Sequence, residues 1–218
     1  MGGALSKDFI PALRFGALTR FYDPVVRLTT RERRVKEALL ASADIASGAT
    51  ILDVGCGTGT LTVSIKQKYP GARVIGLDLD PAILAMARDK AAKAGVEIEY
   101  IEANAANMPV SNDTVDAVFS SLFFHHLLPE QKTDVLREIF RVLTVSGSLH
   151  VSDWGRPTNV VMRWLFYAVQ CLDGFATTED SLRGRLVEHI ERAGARSYRE
   201  IGVFNTVLGT LRLVHAQK

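Results

Sequence analysis

Three glycines, Gly55, Gly57 and Gly59, follow the apolar run Ala49–Val54 and precede a helical pattern from Thr60 to Lys68. A strand, a glycine-rich turn and a helix in that order make a nucleotide-binding corner. Glycine takes positive φ and lets a ligand approach with no Cβ in the way. The helix start offers N–H groups to acceptor atoms. Asp53, two residues before Gly55, can hold the N–H groups of the turn or, through water, a ligand ammonium. Asp78 ends the next apolar run. A carboxylate there faces the ribose of a ligand whose other end lies on the glycine turn, and both ribose hydroxyls can donate to it. A dinucleotide turn would place its third glycine where Thr60 stands; here it is Gly59.

Acid–base chemistry has fewer candidates. His125 and His126 follow a fourth apolar run, and Asp153 ends a fifth. Either histidine can take a proton near neutral pH, or serve only as a packing or cap residue of a loop. Neighbouring residues point in different directions, so at most one of the pair is expected to face a site. Adjacent histidines lack a favourable ligand spacing, and no nearby Cys or His completes a set, so no metal is expected. Asp153 reads equally as a cap and as a substrate contact.

The elements that must position these residues alternate. Strands are expected at Ile51–Val54, Arg73–Leu77, Glu97–Ile101, Val115–Ser120 and Ser148–Ser152. Helices fall between them, over Thr60–Tyr69, from Pro81 to about Ala94, and from Pro129 to about Leu143; proline is tolerated in the first turn. Such alternation with short turns predicts a doubly wound, mostly parallel α/β sheet, with strand C-terminal ends and the glycine corner on one edge. Ser146-Gly147 reads as a turn. Beyond Asp153 come an apolar helix over Val160–Gln170, a helix over Thr178–Ala193, and two strands, Ser197–Val203 and Val207–Ala216, joined tightly enough for an antiparallel hairpin. Ahead of the corner, two helical pieces are expected, Asp8–Phe21 and Thr30–Ala46. The chain divides into an N-terminal helical lid, 1–47, and one globular unit, 48–218.

At 218 residues there is room for one sizeable core. A hydrophobic share of 47% and a charged share of 23% are ordinary for a globular α/β chain. A net charge of +2 makes no global case for nucleic acid. Basic residues cluster from Arg14 to Lys36; a solvated helix face explains them, and contact with anionic lipid or an acidic partner is the other reading. Cys56 and Cys171 form neither a disulfide framework nor a metal spacing. Both are expected as free thiols, which suits a cytoplasmic location. No signal peptide or membrane span is read.

Four stretches carry a family resemblance. Ile51-Leu-Asp-Val-Gly-Cys-Gly-Thr-Gly resembles the first motif of the class I S-adenosylmethionine-dependent methyltransferases, and Val74-Ile-Gly-Leu-Asp-Leu-Asp-Pro their acidic second motif. Val115-Asp-Ala-Val-Phe-Ser-Ser-Leu-Phe-Phe-His-His-Leu, and Leu136-Arg-Glu-Ile-Phe-Arg-Val-Leu with Ser146-Gly-Ser-Leu, are similar to the motifs at the fourth and fifth strands. The resemblance runs from about residue 45 to 155, and Phe21-Tyr22-Asp23 is similar to the branch that methylates quinones, lipids and other small molecules. It implies a Rossmann-like, seven-stranded sheet and S-adenosyl-L-methionine as cofactor. Asp53, Gly55, Cys56, Gly57, Thr58 and Gly59 would surround the methionine part, Asp78 would hold the ribose and Leu79 would pack on the adenine. Asn104 stands where the family has an acid for the adenine amino group; its side-chain oxygen can still accept, and the N–H of Ala105 could serve a ring nitrogen. Ser120 and Ser121 would lie near the reactive sulfur.

Methyl transfer asks for an in-line nucleophile at roughly 3–3.5 Å and the exclusion of water. A base matters only for a nucleophile that keeps its proton; His125, His126 and Tyr22 are the residues placed to serve. Trp164, Phe166 and Tyr167, with Phe9 and Phe15, would line a cavity for a hydrophobic or aromatic small-molecule acceptor; the alternative is a helix packed on the sheet edge or a partner chain. The expected state is monomer or homodimer, with peripheral lipid contact left open and no nucleic acid. Other readings are a non-catalytic cofactor-binding scaffold and a nicotinamide-dependent oxidoreductase.

Overall fold

The structure, a computed structural model, describes residues 31–218. The expected helix Asp8–Phe21, the aromatic residues Phe9 and Phe15, the Phe21-Tyr22-Asp23 motif and most of the lid lie outside the described residues.

The elements in chain order are α1 (Glu32–Ala41), β1 (Thr50–Val54), α2 (Thr60–Lys68), β2 (Arg73–Asp78), α3 (Pro81–Ala94), β3 (Glu99–Glu102), β4 (Val115–Ser121), a 3-10 turn (Phe124–His126), α4 (Pro129–Val142), β5 (Leu143–Trp154), α5 (Val160–Asp173), α6 (Phe175–Arg183), α7 (Leu186–Arg192), β6 (Ser197–Thr206) and β7 (Gly209–Gln217). The seven strands form one sheet in the order β3-β2-β1-β4-β5-β7-β6. The first five run parallel, and β7 is antiparallel to both β5 and β6. Strand order reverses between β1 and β4, which opens the crevice beyond their C-terminal ends where ligands of open α/β sheets bind.

The sheet is buried on both faces because its strands alternate apolar residues to either side. Leu52 and Val54 join Ile75, Leu77, Val118, Leu136 and Ile139 in one core. Ile51 joins Val74, Phe119, Leu39 and Phe166 in the other. Through Val35, Leu39 and Leu40, α1 closes the second core. Ser42, at its end, hydrogen-bonds His150 of β5 at 2.8 Å.

Four differences from the sequence reading bear on the fold or the site. α1 stops at Ala41, where the N–H of Ser42 turns back to Leu39 and Leu40. The helix expected over Thr178–Ala193 is two, broken at Gly184 with φ 72°. β5 begins at Leu143 rather than Ser148: pairing skips from Val115↔Leu143 to Ala117↔Ser148, so Ser146-Gly147 lies in a bulge inside the strand. α5 runs on to Asp173, which matters for the site. Val160, Trp164 and Leu172 of α5 are exposed at 72%, 74% and 84%, while Phe166, Val169 and Gln170 are the buried residues of this helix.

Candidate active site

The crevice is built on the turn after β1. The N–H groups of Gly55 and Cys56 donate to the carbonyl of Leu77 at 2.9 and 3.0 Å, which locks the turn to β2. Asp78 at the end of β2 reaches back: Oδ2 accepts from the Gly57 N–H at 2.9 Å and Oδ1 from the Asp80 N–H at 3.1 Å. Each oxygen keeps lone-pair capacity for a further donor. Burial raises the Asp78 carboxyl above its usual range, against the pull of those N–H groups. Gly57 has φ 53°, and a Cβ there would meet nothing within 4 Å, so this point of the turn faces open space. Gly55 is the opposite case. Its φ is 67°, and a Cβ would lie 2.3 Å from the ring of Phe123. Only glycine lets that ring close over the turn.

Asp53 is buried beneath the turn, where its Oδ2 accepts from the Thr62 hydroxyl at 2.6 Å. Burial pushes its carboxyl up to about 7, while Thr62 and Lys36 pull the other way. Lys36 of α1 is ion-paired with Glu32, and burial lowers its ammonium. Lys90 of α3 donates to the hydroxyls of Thr58 and Thr60 at 2.9 and 2.6 Å, pinning the start of α2. Burial raises the Cys56 thiol, so it is a packed, protonated group. On the far side, Asn104 Oδ1 accepts from the Ala106 N–H at 2.9 Å, Ala105 is buried in the first core, and Leu79 is half-buried beside Asp78. The Ser120 hydroxyl is buried and donates to the Val54 carbonyl at 2.9 Å, so it joins β4 to β1 beneath the crevice. Ser121, one residue on, is half-buried.

The histidines sit differently from expectation. Their rings converge, with centroids 3.9 Å apart. His125 is buried, and its Nδ1 lies 2.7 Å from Asp153 Oδ1. Asp153 Oδ2 also accepts from the N–H groups of Phe123, Phe124 and His125 at 3.1, 2.6 and 3.3 Å. Asp153 is therefore a cap of the 3-10 turn and the orienting partner of His125 together. Burial alone would lower the His125 imidazole; Asp153, by charge and hydrogen bond, outweighs it and raises the net value. His126 is pushed down to about 3 by burial and by His125. Asp173, at the end of α5, faces both rings, 3.6 Å from His125 Nε2 and 3.9 Å from His126 Nδ1. Adjacent histidines were expected to diverge; the tight 3-10 turn instead lets the two long side chains fold toward one carboxylate. Tyr22 lies outside the described residues.

A family profile described as a methyltransferase domain matches residues 51–147. The chain is 35% identical over 146 residues to a demethylmenaquinone methyltransferase of Thermus thermophilus, covering 67% of this chain and 63% of that one. It is 30% identical over 168 residues to a ubiquinone/menaquinone biosynthesis C-methyltransferase of Syntrophotalea carbinolica, covering 74% of this chain and 70% of the relative. The chain belongs to the class I S-adenosylmethionine-dependent methyltransferases. The match thus spans somewhat less than two thirds of the Thermus relative's own length. Among solved methyltransferase-fold structures, a Haemonchus contortus phosphoethanolamine N-methyltransferase superposes with a TM-score of 0.75 over 99% of this chain and 61% of that one, at 14% identity. The YcgJ protein of Bacillus subtilis superposes at 0.69 over 85% and 98%, at 15% identity. At those identities the likeness is one of fold.

For a methyltransferase site, the sequence reading missed Lys36, Phe123 and Asp173. Phe123 stood inside a quoted motif, but nothing in the linear pattern tells that its ring would cover Gly55. Asp173 carried a readable signal: it is the acid that ends an otherwise apolar helix.

Proposed function

We propose that this methyltransferase moves a methyl group from S-adenosylmethionine to a small, hydrophobic or aromatic acceptor of quinone-like chemistry. The observation that carries the reading is the Asp78–Gly57 bond. It sets a half-buried carboxylate with spare lone pairs beside a turn whose middle faces open space, which suits a ribose on the acid and the rest of the nucleoside across the crevice. The named quinone methyltransferases among the relatives support the acceptor class.

In this reading Gly55, Cys56, Gly57, Thr58 and Gly59 wrap the methionine part, and Asp53 meets its ammonium from below. Asp78 holds the ribose, Leu79 covers the adenine, and Asn104 with Ala105 meets its edge. Ser121 lies toward the reacting centre, with Ser120 bracing the strands under it. The cofactor supplies a methyl on a positively charged sulfur, already activated. The chain's own residues then orient the acceptor, exclude water and, for a hydroxyl or ring C–H acceptor, receive a proton. His125 is suited to that last task because Asp153 fixes its ring and stabilises its charged form; His126, held neutral, and Tyr22 stand as the other groups for it. Among the described residues no helix is long and apolar enough to cross a membrane; peripheral contact through the exposed face of α5 and a cytoplasmic location complete the proposal.

Calorimetry with S-adenosylmethionine and S-adenosylhomocysteine tests it first, and turnover across quinones, phenols, amines and lipids second. Binding with turnover of an aromatic acceptor is expected. No binding of either nucleoside would overturn the proposal, and binding without turnover on any acceptor would reduce the chain to a cofactor-binding scaffold.

A further inference from the structure

We propose that His125, His126 and Asp173 form a binding site for one divalent transition-metal ion. One nitrogen of each histidine and one carboxylate oxygen of Asp173 all lie within 4.8 Å of one another. His125 Nε2 is 3.6 Å from Asp173 Oδ2, and His126 Nδ1 is 3.9 Å from the other oxygen, Oδ1. Two ligand atoms, each about 2.1 Å from a metal at a tetrahedral angle, lie about 3.4 Å apart. The spacing is thus too long for a hydrogen bond and close to that of two ligands sharing an ion.

His125 is prepared for the role. Its Nδ1 is bonded to Asp153 at 2.7 Å, which assigns the proton to that nitrogen and turns the lone pair of Nε2 toward Asp173. A carboxylate behind a histidine, fixing its tautomer and raising its basicity, is the usual outer partner of a metal-bound imidazole. With the proton on Nδ1 and nothing between them, Nε2 and the Asp173 oxygen would present lone pairs to each other in a largely buried place. A proton on Nε2 would resolve that conflict through a hydrogen bond, for which 3.6 Å is too long; a cation between them resolves it at this spacing. The charge balance agrees: Asp153 and Asp173 both face the pair, while Lys132, the nearby cation, is already matched by Asp180 at 3.5 Å.

Two imidazoles and one carboxylate suit zinc, cobalt or iron(II) rather than magnesium or calcium. Three protein ligands leave a position open, as in sites that take a substrate oxygen rather than purely structural ones. The third ligand comes from α5, far along the chain, which is why an argument from neighbouring residues finds no complete set. Phe123, whose ring covers Gly55, is two residues from His125, so an ion held here sits at the margin of the crevice.

The test uses the untagged full chain, stripped with a chelator and titrated with cobalt(II), read by its d–d absorption, and with zinc(II), read by calorimetry. One equivalent is expected to bind, with a tetrahedral or five-coordinate cobalt spectrum. Asp173→Asn and His126→Gln, both at partly exposed positions, are each expected to weaken binding by more than about a hundredfold, since losing an outer partner alone costs 10–100-fold. Thermal unfolding and S-adenosylhomocysteine affinity of the variants establish that the fold and the glycine corner are intact. Binding weaker than about 1 mM in the parent chain would overturn the site. So would binding that survives both substitutions, as an adventitious ion on His150 and His215 would. The readout is metal affinity, so it stands apart from whether the chain turns over any acceptor.

Discussion

His125 and Asp153 meet at 2.7 Å inside the protein, and the carboxylate of the pair does more structural work than the imidazole. Asp153 accepts from His125, from three N–H groups of the turn over residues 123–125, and from the Trp154 N–H at 2.7 Å. Asp153→Asn replaces one acceptor oxygen by a donor facing donors. It should cost about 3–5 kcal/mol, the range for breaking a buried pair. His125→Gln leaves Asp153 its backbone donors and should cost about 1–3 kcal/mol. Urea unfolding of both variants, in chelator, checks the order. The reverse order would make the histidine the anchor.

Asp78→Ala should weaken S-adenosylhomocysteine binding by about 1.5–3 kcal/mol, the loss expected for a charge-assisted hydrogen bond. The substitution also frees the Gly57 N–H from its 2.9 Å bond, so the turn loosens as the ribose partner goes. Asp78→Asn retains an acceptor for Gly57 and should fall between. Calorimetry of the three proteins decides; equal affinities would mean that the ribose lies elsewhere.

Asp53 gives the crevice a pH dependence with a defined sign. Its carboxyl is raised from 3.8 to about 7 by burial. Between those values the folded chain holds a proton that the unfolded chain has lost, so stability falls as pH rises through the window. Above pH 7 the cost is complete and flat. A ligand ammonium favours the ionised acid, so S-adenosylhomocysteine affinity should rise as pH climbs from 6 to 8. Asp53→Asn should flatten both trends. Unfolding and binding measured at pH 5, 6, 7 and 8 check this; a slope unchanged in the variant would assign the proton to another group.

The glycine corner, Asp78 at the end of β2 and the alternation of strands with helices were readable because they are local: each shows as a short apolar run and the residue types that end it. The hairpin of β6 and β7 was readable for the same reason. The convergence of His125, His126 and Asp173 was not, since it depends on where the C-terminal end of α5 is placed in space. The break at Gly184 was hidden because helical periodicity continues on both sides of it. The bulge in β5 could not be seen without its partner, as only the pairing with β4 reveals the extra residues.

Lys132 offers the last test, of how the helices beside the crevice are held. It is buried; its ammonium donates to the Thr177 carbonyl at 3.0 Å and pairs with Asp180. Asp180 in turn binds His189 Nε2 at 2.8 Å, and His189 Nδ1 meets the Thr133 hydroxyl at 2.9 Å. This chain ties α4 to α6 and α7. Asp180→Ala strands a buried ammonium and should cost about 3–5 kcal/mol. Lys132→Met leaves Asp180 with His189 and with Arg185 at 3.7 Å, and should cost less, about 1–3 kcal/mol. Lys132→Met combined with Asp180→Leu removes both charges into an apolar pair and should recover most of the loss. Denaturant unfolding of the cycle reads the coupling directly. If the double variant is no more stable than Asp180→Ala, the hydrogen bonds to Thr177 and His189, rather than the charge pair, are what hold the helices.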